Sequence, residues 1–196
     1  MSRAMTLSTF LILTGASASG AAPSLAQEQQ VVTVIGRAEP FCSLGLPVQG
    51  EASPVNFDSP GGSVFNVTRL TSDETLTTRA ATITLDMEAM CNGVHRVVIA
   101  SDNNGLWRQD TGAGRSGFGT GVPYEANLIW ADRQHRLTAD AANRGYVEDQ
   151  MLVGRPAAGS LLIAFSIASG ATNAGENAPL LAGDYSDILR LSVQPQ

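Results

Sequence analysis

The sequence contains no lysine, and it has only two histidines among its 196 residues. Without lysine the chain can form neither a Walker-type phosphate loop nor a lysine-based covalent intermediate. The arginines are scattered and the formal net charge is −6, so no basic track offers itself to nucleic acid. His95 and His135 are too far apart in sequence for a tight ligand cluster. The composition therefore predicts no cofactor, no metal site and no nucleic-acid partner.

Long apolar runs are also scarce, and the best of them lies at the N-terminus. Arg3 precedes an uncharged stretch from Ala4 to Gly20, and Ser24-Leu25-Ala26 supplies a small-x-small cleavage site. Residues 1–26 are therefore predicted to be a cleaved signal peptide. A membrane anchor is the alternative, but it needs roughly 20 mainly apolar residues, and this run is shorter and diluted by Ser, Thr and Gly. Residues 27–196 suffice for one exported domain.

Only two cysteines are present, Cys42 and Cys91. In an exported protein, two cysteines most simply form one disulfide, and two free thiols are the alternative. In the chain-entropy model, closing a loop of this length stabilises the fold by about 4 kcal/mol.

Short segments with a period of two dominate the mature chain, which is typical of half-buried β-strands. No segment carries an apolar stripe at helical spacing, and the best helix candidate, Thr138 to Gln150, is interpreted as a loop because it contains Gly145. The pattern predicts an all-β sandwich. Its eight predicted β segments are Val31–Ile35, Pro54–Phe57, Val64–Leu70, Ala80–Met90, His95–Ser101, Pro123–Ala131, Ser160–Ala168 and Tyr185–Val193.

The residue types that carry catalysis are few, and each has an ordinary structural explanation. The glycine-rich run from Thr111 to Gly121 precedes a strand-like segment rather than a helix, so it indicates a hairpin connection and not a phosphate loop. His95 begins a predicted strand and His135 lies in a charged run, so both are interpreted as solvated surface residues. Glu148 and Asp149 are adjacent and would point to opposite faces of a strand. No catalytic residue is predicted.

The C-terminal run Leu181-Ala182-Gly183-Asp184-Tyr185-Ser186-Asp187-Ile188-Leu189-Arg190-Leu191-Ser192-Val193 resembles the closing motif of the spore coat protein U domain family, in which Ala-Gly-x-Tyr-x-Asp leads into an alternating last strand. Four other pieces are similar to that family and occur in the same order. They are the cysteine pairs Phe41-Cys42 and Met90-Cys91, the short Val55-Asn56-Phe57, and the strand Tyr124-Glu125-Ala126-Asn127-Leu128-Ile129-Trp130-Ala131-Asp132. Asp58 replaces the family's glycine, and Leu106-Trp107-Arg108 departs from its arginine-containing turn.

The family resembles subunits of archaic chaperone–usher pili, and this implies an incomplete immunoglobulin-like sandwich over residues 42–196. The chain stops soon after its last alternating segment, so we expect the final strand of the sandwich to be lacking. The vacancy would leave unpaired backbone groups and an apolar groove that a strand supplied by another molecule could fill. The residues predicted to form the last strand and line this groove are Tyr185, Leu189, Leu191 and Val193.

Residues 27–41 precede the first cysteine and could serve as the donor strand. Val32 and Val34 are the predicted plugs for a neighbour's groove, and Val31 and Ile35, on the opposite face, are the rival register. The same residues could instead be the protein's own first strand.

The resemblance implies a structural or minor tip subunit of a surface pilus, assembled by donor-strand exchange, with a role in adhesion or biofilm. Its expected partners are a periplasmic chaperone, an outer-membrane usher and neighbouring pilus subunits. It would be exported through the periplasm to the surface of a Gram-negative bacterium. The alternative is a secreted binding module that recognises glycan or host surface as a monomer, with Trp107, Phe118 and Trp130 as stacking surfaces. A small secreted hydrolase using His95 or His135 is the third hypothesis.

Overall fold

A computed structural model describes residues 30–110 and 114–196. The predicted signal peptide, residues 1–26, lies outside the described residues. The chain divides into two compact units, residues 1–37 and residues 38–196. In the first unit, the described residues 30–37 contain no strand, and all of them are exposed.

Every regular element in the described part of residues 38–196 is a strand, which confirms the all-β prediction. The first seven strands are β1 (Cys42–Leu44), β2 (Val48–Gln49), β3 (Phe57–Gly61), β4 (Val64–Val67), β5 (Ala81–Cys91), β6 (His95–Ser101) and β7 (Leu106–Arg108). The others are β8 (Gly121–Val122), β9 (Tyr124–Trp130), β10 (Arg133–Ala139), β11 (Val147–Val153), β12 (Ala157–Ile167), β13 (Tyr185–Ser186) and β14 (Leu189–Pro195).

The larger sheet has the order β1-β5-β12-β9-β10, and β2 also pairs with β5. All of these pairs are antiparallel. In β5 the burial alternates with the predicted period of two: Ile83, Leu85 and Met87 are buried, whereas Thr82 and Glu88 are exposed. One face of this sheet therefore supplies half of the core.

The second sheet has the order β11-β6-β14 and packs its inner face against the first. Val97 and Ile99 of β6 share one hydrophobic core with Leu128 of β9 and Leu161 of β12, and all four side chains are fully buried. The molecule is thus a β-sandwich, as the sequence predicted. Two smaller sheets complete it, β13-β7-β8 and the β3-β4 hairpin.

Cys42 and Cys91 form the predicted disulfide. The two residues face each other in the β1-β5 ladder, so the bond joins the first strand to the end of a central strand. Cys91 is buried within the sandwich.

Four secondary-structure predictions were wrong. The predicted strand Pro54–Phe57 overlaps an observed one only at Phe57, where β3 begins, and the predicted Tyr185–Val193 is divided between β13 and β14. Val31 to Ile35 lie in no strand. The segment from Thr138 to Gln150 is not a single loop, because it contains the end of β10 and the start of β11. The pattern misled because two inward positions carry polar residues: His135 on β10 and Asp149 on β11 form a polar pair with Nε2 and Oδ1 2.8 Å apart.

Candidate functional site

The outer edge of β14 is the most distinctive feature of the described chain. β14 pairs with β6 on one side, and no described strand pairs with its other side. The Ile188 carbonyl accepts from the Asp102 N–H, and the Gln196 N–H donates to the Val94 carbonyl. Because antiparallel ladders alternate, the even-numbered residues of β14 bond to β6. The N–H and C=O groups of Leu189, Leu191 and Val193 therefore point to the open edge.

The side chains of those same three residues are incompletely covered. Leu189, Leu191 and Val193 lie opposite Ser101, Ile99 and Val97 on the same face of the sheet. The three β6 side chains are 0% exposed, whereas the three β14 side chains are only half-buried although they contact the core. These side chains of β6 and β14 face the same way, yet they differ in burial, because within the described residues β14 has a paired strand on one side only. An apolar strip and a row of backbone groups lie along one edge.

The two sides of the sandwich differ in how they are closed. On one side β10 contacts β11, and the polar pair of His135 and Asp149 joins the two sheets there. On the other side β14 contacts β1, which lies at the edge of the larger sheet and spans only three residues. β1 contacts β14, and its Leu44 is half-buried against the core. The short first strand therefore covers little of the open edge.

Asp187, two residues before the first residue of β14, anchors the start of that strand. Its carboxylate accepts hydrogen bonds from Ser101 Oγ at 2.5 Å, from Tyr124 Oη at 2.7 Å and from the Asn103 N–H at 3.0 Å. Ser101 and Tyr124 are buried, and burial, followed by the nearby carboxylates, raises the pKa of the Tyr124 phenol. These bonds hold β14 in one register on β6, and the register decides which side chains face inward.

The predicted last strand is broken at this point. Tyr185 lies in β13, which pairs with β7, and its hydroxyl donates to the Leu181 carbonyl at 2.8 Å. The break occurs because the Asp187 side chain takes up bonds to β6 and β9 that a continuous ladder would not provide. The structure therefore brings Leu189, Leu191 and Val193 together on one strand and places Tyr185 on another.

The predicted donor residues are exposed apolar side chains outside any strand. Val31, Val32, Val34 and Ile35 are 83%, 82%, 90% and 90% exposed. Alternate residues would share a face in an extended chain, so Val32 with Val34 and Val31 with Ile35 form two apolar faces. The two registers thus remain alternative predictions.

The expectation that His95 is a solvated surface residue was wrong. His95 is 0% exposed, and its Nε2 accepts the Trp130 indole N–H at 2.8 Å. Since Nε2 is the acceptor, Nδ1 carries the proton and donates to the Gly93 carbonyl at 2.9 Å. Both ring nitrogens are occupied in the folded sandwich. Trp130 is only 2% exposed, so it offers no stacking surface to a ligand.

The remaining candidates do not converge on a site. Residues 111–113 of the glycine-rich run lie outside the described residues, and Phe118 in the same run is 36% exposed. Trp107 is half-buried, and its indole N–H donates to the Asn103 carbonyl. Asp149 pairs with His135, whereas Glu148 accepts from the Tyr146 hydroxyl. Within the described ranges there is no cluster of three potential metal ligands, and no helix there could span a membrane.

Sequence reasoning missed three of the residues that shape this region: Asp187, Trp130 as a partner of His95, and Asn92. Asp187 was inside the quoted C-terminal motif, but its role depends on residues 63 to 86 positions away in the chain. Asn92 precedes Gly93, and the pair Asn-Gly in the sequence indicates only a tight turn. Its side chain also contacts a segment 51 to 53 positions earlier.

Comparison with known proteins gives no family assignment: no protein-family model matches the chain, and no curated protein matches it.

Proposed function

We propose that the protein is a structural or minor tip subunit of a bacterial surface pilus, which joins its neighbours by donor-strand exchange. The observation that carries the proposal is the open edge of β14, where an apolar strip and unpaired backbone groups occur together. Exposed sheet edges promote association unless something covers them. A strand from a second copy would pair the backbone groups and cover the apolar side chains in one step.

The segment from Val31 to Ile35 has the properties that this edge requires. It spans five residues, as does the stretch from Leu189 to Val193, and an extended chain advances about 3.3 Å per residue in both. Its β-branched side chains suit a strand, and they are largely exposed. These apolar side chains would be exposed before assembly and buried afterwards, and their burial would stabilise each contact between subunits.

The donor and the acceptor are different surfaces of the same chain, so their contact is heterologous. A repeated heterologous contact that does not close produces an open filament. Each subunit would insert its N-terminal segment at the open edge of β14 in one neighbour. Its own β14 edge would receive the N-terminal segment of another. This is the architecture of a fibre.

The proposed route and partners follow from the resemblance to the spore coat protein U domain family. A periplasmic chaperone would cover the groove before assembly, and an outer-membrane usher would exchange it for the next subunit. The disulfide between Cys42 and Cys91 is compatible with an oxidising compartment such as the periplasm. The predicted signal peptide agrees with export by the same route.

Hydrogen exchange with a donor peptide tests the proposal at the edge itself. In a variant lacking residues 27–35, the N–H groups of Leu191 and Val193 should exchange rapidly, while those of Arg190 and Ser192 are protected by β6. A synthetic peptide of residues 27–41 should protect Leu191 and Val193 and should raise the free energy of unfolding by about 2.7 kcal/mol at 100 times its Kd.

Two altered peptides distinguish the registers and serve as matched controls. If Val32 and Val34 are the plugs, replacing both with Asp should abolish the protection, while replacing Val31 and Ile35 should weaken it less; the opposite ranking assigns the rival register. If the unaltered peptide leaves both amides exchanging as before, donor-strand exchange is refuted.

Purification of the full chain from periplasm, with and without a co-expressed chaperone, tests the assembly route. We expect a one-to-one complex with the chaperone and self-association without it. A stable monomer that ignores both the chaperone and the donor peptide would instead favour the secreted binding module, which glycan-array binding by that monomer would then test.

A further inference from the structure

The turn between β5 and β6, residues 92–94, holds residues 39–41, which we call the root of the N-terminal segment. Asn92 Oδ1 accepts the Phe41 N–H at 2.8 Å, and Asn92 Nδ2 donates to the Glu39 carbonyl at 2.8 Å. The Asn92 N–H also donates to the Phe41 carbonyl, at 3.1 Å. One residue thus makes three hydrogen bonds to the backbone that leads into Cys42.

The same turn also bonds the end of the acceptor strand. The Val94 carbonyl accepts the Gln196 N–H at 3.0 Å, just beyond β14. Between these two contacts, the Gly93 carbonyl accepts from the buried His95 ring. The root of the proposed donor and one end of the proposed acceptor edge therefore meet at a single three-residue turn.

A simple turn would not need these side-chain contacts. Asn-Gly forms tight turns through its backbone preferences, and Asp or Gly can serve in its place. Here the side-chain amide of Asn92 forms hydrogen bonds through both its oxygen and its nitrogen, and their partners, Phe41 and Glu39, are distant in sequence. The disulfide already ties Cys42 to Cys91, so the remaining freedom of the root lies in the residues just before Cys42. Asn92 removes that freedom at Glu39 and Phe41.

We infer that Asn92 is a positioning residue that holds residues 39–41 on the sandwich, at the base of the proposed donor strand, and so limits bending between successive subunits. The inference rests on the proposed function, because successive subunits are joined only if the segment enters a neighbour. Removing the two side-chain hydrogen bonds should leave the N-terminal segment able to insert into a neighbour, while residues 39–41 become more mobile. Fibres would then bend more easily without losing their ability to grow.

The first arm of the test measures the root itself and does not need fibres. In the full chain purified from periplasm, the Phe41 amide of Asn92→Ala should exchange about tenfold faster than in the wild type. Asn92→Asp keeps the acceptor for Phe41 but loses the donor to Glu39, so it should fall between the two. Exchange at Ile99, in the core, should not change, which separates a loosened root from a general loss of stability.

Asn66→Ala is the matched control, because Asn66 is exposed and its side chain makes no hydrogen bond within the described ranges. This variant should leave Phe41 exchange and fibre stiffness at wild-type values. If Asn92→Ala has no more effect on Phe41 than Asn66→Ala has, the inference is refuted whatever the fibres do.

The second arm measures fibres by electron microscopy. Asn92→Ala fibres should grow in normal amounts but show a persistence length reduced by about half or more. Faster exchange at Phe41 with unchanged fibre stiffness would refute the inference and leave the proposed function intact. Absence of fibres from the wild type as well would count against the proposed function itself, so the two failures are distinguishable.

Discussion

Replacing Asp187 should destabilise the protein more than any other single change of a carboxylate outside the core. Its carboxylate accepts from Ser101 Oγ, Tyr124 Oη and the Asn103 N–H, and the first two residues are 0% and 3% exposed. Asp187→Ala would leave two buried hydroxyls without their acceptor. Each buried polar group left unpaired costs about 1–3 kcal/mol.

Because these donors bond to the two oxygens of one carboxylate, the costs of losing them are not additive. We expect Asp187→Ala to lower the free energy of unfolding by about 3–5 kcal/mol. Asp187→Asn can keep a carbonyl oxygen at the Oδ2 position, to which both hydroxyls donate, but its NH2 group then replaces Oδ1, which accepts from the Asn103 N–H, so it should cost about 1–2 kcal/mol. Asp184→Ala is the control, since Asp184 is exposed and a surface substitution usually changes stability by less than about 0.5 kcal/mol.

Urea unfolding of the three variants, followed by fluorescence, measures these differences through the midpoint and the slope m. Hydrogen exchange at Arg190 and Ser192 adds a local readout, because loss of the anchor should release β14 before the rest of the sandwich unfolds. The reasoning is refuted if Asp187→Ala and Asp184→Ala unfold at the same urea concentration with equal protection of β14.

Two further predictions concern the polar pairs within the sandwich. Trp130→Phe should lower the free energy of unfolding by at least about 1–3 kcal/mol, because the buried His95 Nε2 would lose the indole N–H that donates to it; an unchanged urea midpoint would contradict this. The bond from His135 holds the pKa of Asp149 below its ordinary value of 3.8, so the pair stabilises the fold above about pH 4, and this contribution is lost as the pH falls through the folded-state pKa. Since Asp149 is nearly half exposed, the advantage of the wild type over Asp149→Asn should stay below about 1 kcal/mol at pH 7 and vanish toward pH 2, which thermal unfolding across this pH range would measure.

The strands with clean alternation could be located from the sequence. The apolar side of β5 from Ile83 to Ala89 and that of β9 from Tyr124 to Trp130 were both identified, because a period of two reports directly which side chains face a core. β10 and β11 were missed because His135 and Asp149 occupy inward positions and satisfy each other only when the two sheets are packed.

The candidate site was predictable only in outline. An alternating strand at Leu189, Leu191 and Val193 was visible in the sequence, but its incomplete burial was not, since burial depends on which strands lie beside it. The role of Asp187 was equally hidden, because its partners come from β6, β9 and the loop that follows β6.

The sequence by itself determined the all-β class, the positions of the cleanly alternating strands and the pairing of its two cysteines, because these depend on local periodicity and on composition. Only the tertiary structure decided the order of the strands, the burial of His95 against Trp130 and the edge of β14 that stays open. These features depend on groups far apart in the chain, whose hydrogen bonds and side-chain contacts exist only after the two sheets have come together.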